Sequence, residues 1–235
     1  MNLFYFFFFF LLTVIQAFEP YAPNNDCQMK YCKMLQSSKF PILVVEGPAG
    51  TGKTMMACQE ALRLLEANQI EKIVLTRPVI AADEGIGFLK GGMEEKMVPW
   101  LLPVLDSMKE LQSQDKVRTY LQNGKIEIAP LAFMRGRTFK SSFVIAEEMQ
   151  NATPNQVRML LTRLGERSRM VLTGDVTQHD LPSHQIGGLP DLLERLSHVE
   201  NPYEKGIGIV RFKKRHVQRH PILEVIHELY PEDSL

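Results

Sequence analysis

The sequence predicts an α/β domain with a mostly parallel sheet and helices on both of its faces. Three observations predict this fold class. Short apolar runs rich in β-branched residues recur along the chain, helix-forming stretches alternate with them, and a glycine-rich turn joins the first run to the first helix. Strands that are buried on both faces of a sheet read as continuous apolar runs of this kind.

The predicted elements alternate in a regular order. The strands are expected at 42–45, 72–76, 143–146, 170–173 and 207–212. The helices are expected at 53–68, 94–110, 154–164, 189–196 and 221–230, the last beginning at a proline, which the first helical position accepts. Because no internal repeat and no long linker follows residue 40, we expect residues 41–235 to form one domain and residues 19–40 to be a linking segment.

Length and composition limit the class of protein. The 235 residues and 26.9 kDa leave room for one full-sized domain, and the 45% apolar and 23% charged residues exclude wholesale disorder. The 27 basic residues balance the 27 acidic ones, which argues against a protein held on nucleic acid by its net charge. A local basic patch is compatible with this balance. Three cysteines suggest reduced thiols rather than a disulfide framework.

The N-terminus carries a separate apolar segment, residues 1–18, before the first charge at Glu19. The run is shorter than the ~20 residues of a membrane-spanning helix and resembles the core of a signal peptide, although no basic residue precedes it. Ala17 and Phe18 also resemble the cleavage region of presequences for secondary plastids. We therefore expect plastid or secretory targeting, with no stable membrane anchor once the segment is cleaved; a misassigned start codon is the alternative.

Residues 47–54 match a phosphate-binding pattern: Gly, four residues of any type, Gly, Lys and then Ser or Thr, between a predicted strand and a predicted helix. They are Gly47, Pro48, Ala49, Gly50, Thr51, Gly52, Lys53 and Thr54. The glycines let backbone N–H groups approach phosphate oxygens, and the helix that begins at Lys53 adds its positive end. We expect Lys53 to contact the β and γ phosphates of a nucleoside triphosphate and the Thr54 hydroxyl to bind Mg²⁺.

Acidic and polar residues follow two other predicted strands. Glu147 and Glu148 come directly after strand 143–146, where neighbouring residues point to opposite sides, so that Glu147 can face Mg²⁺ and Glu148 the attacking water. Asp175 and Gln178 follow strand 170–173, with the Gln178 amide placed to sense the γ-phosphate and Asp175 to meet metal-bound water or Lys53. A solvated acidic turn and a plain Asp/Gly turn are the alternatives.

With these motifs placed, the chain resembles the PhoH-like ATPases from about residue 28 to residue 230. The runs that carry the resemblance, besides the phosphate loop, lie at 76–78, 87–89, 130–139, 148–154, 161–163, 173–175, 177–178, 180–182 and 219–221. The resemblance implies a P-loop NTPase core like the first motor domain of superfamily 1 helicases. It also implies ATP hydrolysis with Mg²⁺ and a role in RNA metabolism. From their positions, we expect Lys53, Glu148 and Gln178 to be catalytic residues.

Several basic and polar residues take their expected roles from this resemblance. Arg219 resembles an arginine finger, with a surface arginine as the alternative, and Gln28 resembles the upstream glutamine that reads adenine, with a surface glutamine as the alternative. Arg77, Arg135 and Arg137 are candidates for phosphate or nucleic-acid contact. Because 235 residues hold only one motor domain, we expect a homo-oligomeric ring in which Arg219 completes a neighbour's site.

The chain departs from the family pattern at three places. Glu147 stands where the family usually has Asp, His216 stands where an acidic residue usually precedes the arginine, and residues 90–92 replace the usual Pro-Gly. The longer Glu147 side chain is expected to keep the metal geometry and to slow turnover.

Two other functions are compatible with the phosphate loop. A nucleotide-switched protein-binding module would bind ATP with little turnover. A small-molecule kinase would transfer the phosphate to an acceptor, but the acidic strand end and the segment at 174–178 argue against it.

Overall fold

The computed structural model describes residues 21–78, 93–178, 181 and 185–218, with only the backbone of residues 93–97. Within these ranges six strands form one sheet, and every neighbouring pair of strands is parallel. In chain order the strands are β1 (Ile42–Glu46), β2 (Lys72–Thr76), β3 (Ile126–Ile128), β4 (Ser142–Ala146), β5 (Arg169–Gly174) and β6 (Ile207–Arg211). They lie in the order β3-β2-β4-β5-β1-β6, which confirms the predicted parallel sheet.

Helices cover both faces of the sheet, as predicted. In the described part of the chain they are α1 (Asp26–Gln36), α2 (Lys53–Glu66), α3 (Met93–Leu111), α4 (Gln114–Gln122), α5 (Pro154–Leu161) and α6 (Gly188–Ser197). Alternate residues of each strand point to two separate apolar cores, one shared with α1–α4 and the other with α5 and α6. None of these helices combines the length and the apolar composition that a membrane span requires.

The sequence did not predict three of these elements. Helix α1 lies inside the segment expected to be a link, and its Tyr31 and Leu35 are buried in the first core. Its first turn is capped by Asn25, whose side chain accepts a hydrogen bond from the Gln28 N–H. Helix α4 and the three-residue edge strand β3 are the other two. The predicted helix at 221–230 lies outside the described residues.

Parallel pairing gathers the ends of four strands at one edge of the sheet. Glu46 is paired with Gly174, and Thr76 with Ala146, which itself lies opposite Leu172, so the four strands end within two residues of one another. The loops that follow β1, β4 and β5 therefore leave the sheet side by side. These three loops and the first turn of α2 carry the predicted phosphate-binding, acidic and sensing residues.

Candidate functional site

The loop between β1 and α2 depends on its glycines. Gly47, Gly50 and Gly52 have φ angles of 138°, 77° and 84°, a region that side chains rarely adopt. A Cβ atom at Gly47 would lie only 2.6 Å from the Cβ of Phe212. Gly52 directly precedes helix α2, whose first N–H groups have no acceptor within the helix. The loop thus has the backbone that an anion-binding turn needs.

Lys53 is held against this loop. Its Nζ donates hydrogen bonds to the carbonyl oxygens of Gly47, at 2.5 Å, and Pro48, at 2.8 Å. The ammonium group therefore lies within the turn that the sequence predicts to surround phosphates. Phosphate oxygens would be charged acceptors in place of neutral carbonyls, and such hydrogen bonds are roughly twice as strong.

Thr54 and Glu147 are in direct contact, so their oxygen atoms are close enough to share one ion. The Thr54 hydroxyl, in the first turn of α2, donates a hydrogen bond to Oε1 of Glu147, which directly follows β4. Glu147 is buried. Both groups offer hard oxygen atoms, the ligands that Mg²⁺ prefers in proteins.

Burial raises the pKa of the Glu147 carboxyl above its usual value, because a charged carboxylate loses solvation there. The Thr54 hydrogen bond acts in the opposite direction, and the negative charge of Glu148 adds to the rise. The positive charges of Arg77 and Lys53 also lower the pKa. The site therefore makes the charged carboxylate of Glu147 less favourable than it is in water, and a nearby cation would oppose this effect.

This shift predicts a pH-dependent stability. Between the ordinary carboxyl pKa of about 4.3 and the raised pKa, the folded chain binds more protons than the unfolded chain, so its free energy of unfolding falls as pH rises. We expect wild type to lose stability relative to Glu147→Gln across this window, measured by urea unfolding in EDTA without nucleotide. Parallel pH curves for the two proteins would contradict the raised pKa.

Gln150 connects the ends of β4 and β5, a role that the sequence analysis missed. Its Nε2 donates to Oε2 of Glu148 at 2.5 Å, and its Oε1 accepts from the backbone N–H of Asp175 at 3.2 Å. Gln150 is almost fully buried, and a Cβ at Gly174 would lie 2.4 Å from its Oε1. The glycine at 174 therefore makes room for the amide that holds Glu148.

Asp175 and Gln178 form a turn beside the same cleft. Oδ1 of Asp175 accepts hydrogen bonds from the backbone N–H and the hydroxyl of Thr177, at 3.0 and 2.7 Å. The Gln178 N–H donates to the Asp175 carbonyl at 3.2 Å. Asp175 thus stabilises its own turn, while its contact with metal-bound water or Lys53, and that of Gln178 with the γ-phosphate, stay predictions.

One cleft of about 280 Å³ brings most of the predicted residues together. Its lining comes from the phosphate loop, from the ends of β4 and β5, and from Pro103 and Ser107 of α3. The predicted residues among the lining are Ala49, Gly50, Thr51, Gly52, Lys53, Thr54, Glu147, Glu148, Asp175 and Gln178.

Gln28 lies beside the phosphate loop rather than on the surface. Its side chain is fully buried, and its Nε2 donates to the carbonyl of Thr51 at 3.0 Å. The surface alternative is therefore wrong, while contact with adenine stays a prediction.

The predicted arginines occupy different surroundings. Arg77 donates to the Trp100 carbonyl at 3.3 Å, and its charge acts on Glu147, so it lies on the cleft side. Arg137 forms an ion pair of 2.5 Å with Glu127 of the outermost strand, β3. Arg135 is exposed. Arg219 lies outside the described residues.

The chain is similar to curated bacterial proteins over most of its length. The family model described as PhoH-like protein matches residues 21–231. A PhoH-like protein of Synechocystis is 42% identical over 203 residues, covering 86% of this chain and 60% of that protein. A PhoH-like protein of Bacillus subtilis is 43% identical, covering 80% and 57%, and Protein PhoH of Escherichia coli is 41% identical, covering 83% and 54%. The chain thus spans between half and two thirds of the length of these relatives.

Among solved structures, the Pif1 helicase from Candida albicans matches with a TM-score of 0.39 and 13% identity, covering 89% of this chain and 45% of that one. The SWI2/SNF2 ATPase core of Sulfolobus solfataricus, in complex with double-stranded DNA, matches with a TM-score of 0.45 and 17% identity, covering 85% and 47%.

Proposed function

Because this chain belongs to the PhoH-like protein family, we propose that it is a Mg²⁺-dependent ATPase whose activity is coupled to binding or remodelling RNA. The observation that carries the proposal is the contact between Thr54 and Glu147 at a phosphate loop, in the cleft that Glu148 also lines. Two oxygen groups that would bind a metal ion, a loop that would bind phosphates and a carboxylate that would accept a proton from water thus lie in one place.

The phosphate loop and Lys53 would bind the triphosphate. Backbone N–H groups of the loop and of the first turn of α2 would donate to phosphate oxygens, and Lys53 would exchange its two carbonyl acceptors for phosphate oxygens. Thr54 and Glu147 would hold the metal ion. When bound, Mg²⁺ would neutralise charge on the phosphate oxygens.

Glu148 is the group proposed to accept a proton from the attacking water. The hydrogen bond from Gln150 fixes one carboxylate oxygen of Glu148, so Gln150 would act as a positioning residue. Gln178, which also lines the cleft, would sense the γ-phosphate. The left-handed backbone of Glu148, with a φ of 53°, is a strained conformation of the kind found at functional sites.

Phosphate release from ATP by the whole chain, with Mg²⁺ and with EDTA, tests the ATPase proposal. Turnover that needs Mg²⁺ supports it. Micromolar ATP binding with near-zero turnover would instead favour a nucleotide-switched binding module, the second candidate from the sequence. Transfer of labelled phosphate to a small acceptor would favour a kinase.

The RNA proposal is supported by an exposed aromatic ring among basic side chains. Phe133 is 57% exposed at the end of a short 3-10 helix, Leu131–Phe133, whose Leu131 is buried. Exposed Arg135 follows it, in a segment whose charged residues from 131 to 140 are all basic. Bases stack on exposed aromatic rings while arginines contact the backbone phosphates of single strands.

We predict that Phe133→Ala weakens binding of single-stranded RNA by about tenfold, because one stacked base loses its partner. Arg135→Ala should instead lower the salt dependence of binding, since one phosphate contact is lost. Fluorescence anisotropy with a labelled oligonucleotide at several salt concentrations measures both effects. Tyr203→Ala is the matched control, because it removes an exposed ring beside the opposite edge strand, β6. Equal losses in the Phe133 and Tyr203 variants would contradict this binding surface.

A homo-oligomeric ring in which Arg219 completes a neighbouring site is the proposed active form. Its support is that the described residues form one sheet with one side of a nucleotide cleft, whereas two-domain motors close ATP between two such domains. Light scattering combined with specific activity over a range of protein concentrations tests it. A monomer with full activity at every concentration would remove the ring.

A further inference from the structure

Three side chains from distant parts of the chain form a closed ring of hydrogen bonds beside the phosphate loop. Gln28 donates from Nε2 to the Tyr21 hydroxyl at 3.3 Å, and Nε2 of Gln218 donates to Oε1 of Gln28 at 3.3 Å. The Tyr21 hydroxyl donates in turn to Oε1 of Gln218. The ring covers Gln28, which is fully buried although its amide is polar.

The amide of Gln28 uses its full hydrogen-bonding capacity. Besides the two bonds within the ring, Nε2 donates to the Thr51 carbonyl at 3.0 Å, and Oε1 accepts from the Asn24 N–H at 2.7 Å. A backbone carbonyl can only accept and a backbone N–H can only donate, so these two partners fix which way the amide faces. The two bonds to side chains are the longer ones, and side chains can move away where backbone groups cannot.

The two exchangeable positions on Gln28 match one purine. They are a donor on Nε2 and an acceptor on Oε1, side by side on a planar amide. Adenine offers an acceptor at N7 beside a donor at N6, the pattern that glutamine binds with two hydrogen bonds. Guanine offers acceptors at both N7 and O6, so its O6 would face the Oε1 lone pairs.

We infer that Tyr21 and Gln218 are placeholders for adenine on Gln28, and that they set how tightly and how selectively the site binds adenine nucleotides. In the nucleotide-free chain they satisfy the buried amide, and adenine replaces both of them. Their bond to each other can persist after the exchange. The backbone N–H of Gln218 also donates to the Gly50 carbonyl at 2.8 Å, which keeps Gln218 next to the phosphate loop. This inference rests on the proposed binding of adenine nucleotides.

The placeholder role predicts that two substitutions near the site strengthen ADP binding instead of weakening it. Gln218→Ala and Tyr21→Phe each remove a competitor of adenine, so ADP should bind about two- to tenfold more tightly while GDP affinity is unchanged. Gln28→Ala should do the opposite and reduce the preference for ADP over GDP. Isothermal titration calorimetry on the whole chain measures these affinities without turnover. Gln112→Ala is the matched control, since it removes an exposed amide bonded to Glu66, away from the ring.

A second ligand separates the two placeholders. ADP in which carbon replaces N7 cannot displace the Tyr21 hydroxyl from Nε2, so Tyr21→Phe should give no gain with this analogue, while Gln218→Ala should still give one. Weaker binding of both ADP and GDP in the two variants would show a merely structural ring and overturn the inference. Unchanged ADP affinity would overturn it as well. A wild-type chain that binds neither nucleotide would refute the proposed function itself.

Discussion

Glu148→Gln is expected to lower the rate of ATP hydrolysis by about a hundredfold or more, because the amide cannot accept the proton of the attacking water. ATP affinity should change little, because Glu148 is proposed to act on the water and not to bind ATP. The phosphate loop, Thr54 and Glu147 would hold the triphosphate and its metal. Nε2 of Gln150 can still donate a hydrogen bond to the amide oxygen of the new side chain, so the local fold should persist. Single-turnover hydrolysis and equilibrium binding, measured on the same preparation, separate the two effects.

Glu200→Gln is the matched control for this prediction, because it makes the same chemical change at an exposed position outside the cleft. It should leave both the rate and the affinity at wild-type values. A wild-type rate in Glu148→Gln would mean that another group activates water. If the wild-type chain itself shows almost no turnover and the substitution changes nothing, the nucleotide-switched module becomes the better explanation.

The elements around the cleft were predictable because each is buried on both faces or follows a fixed motif. Strands β1, β2, β4 and β5 each read as one unbroken apolar run, so their predicted bounds agree with the structure within one residue at either end. Glu147 could be placed near Thr54 because parallel strands end at one edge of a sheet.

The elements that the sequence analysis did not predict differ in the local signal that they carry. Strand β3 has three residues, too few for any periodicity, and its pairing with β2 decides its structure. A signal for α1 was present, since Asn25 is a good cap and Tyr31, Met34 and Leu35 have helical spacing.

The roles of Gln150 and of the Gln28 ring could not be predicted from sequence. An uncharged amide carries no local sign of its partner, and the partners of these two lie 25 and 190 residues away in the chain. Such contacts follow from how the loops meet at the sheet edge, which only the folded structure shows.

Lys53→Ala is expected to weaken ATP binding by about ten- to a hundredfold, because charge-assisted hydrogen bonds to phosphate are lost. The rate should fall further, by about 10²–10³, since the charge that develops on the transferring phosphoryl group loses the ammonium group of Lys53.

The same substitution also removes the hydrogen bonds from Nζ to the carbonyls of Gly47 and Pro48, so thermal melting must accompany the kinetics to show that the loop remains folded. Lys109→Ala is the control, because Lys109 is also a lysine within a helix, and it pairs with Asp106 one turn earlier in the same helix. That variant should hydrolyse ATP at the wild-type rate. If Lys53→Ala does so too, the triphosphate binds elsewhere, and the contact between Thr54 and Glu147 no longer supports a nucleotide site.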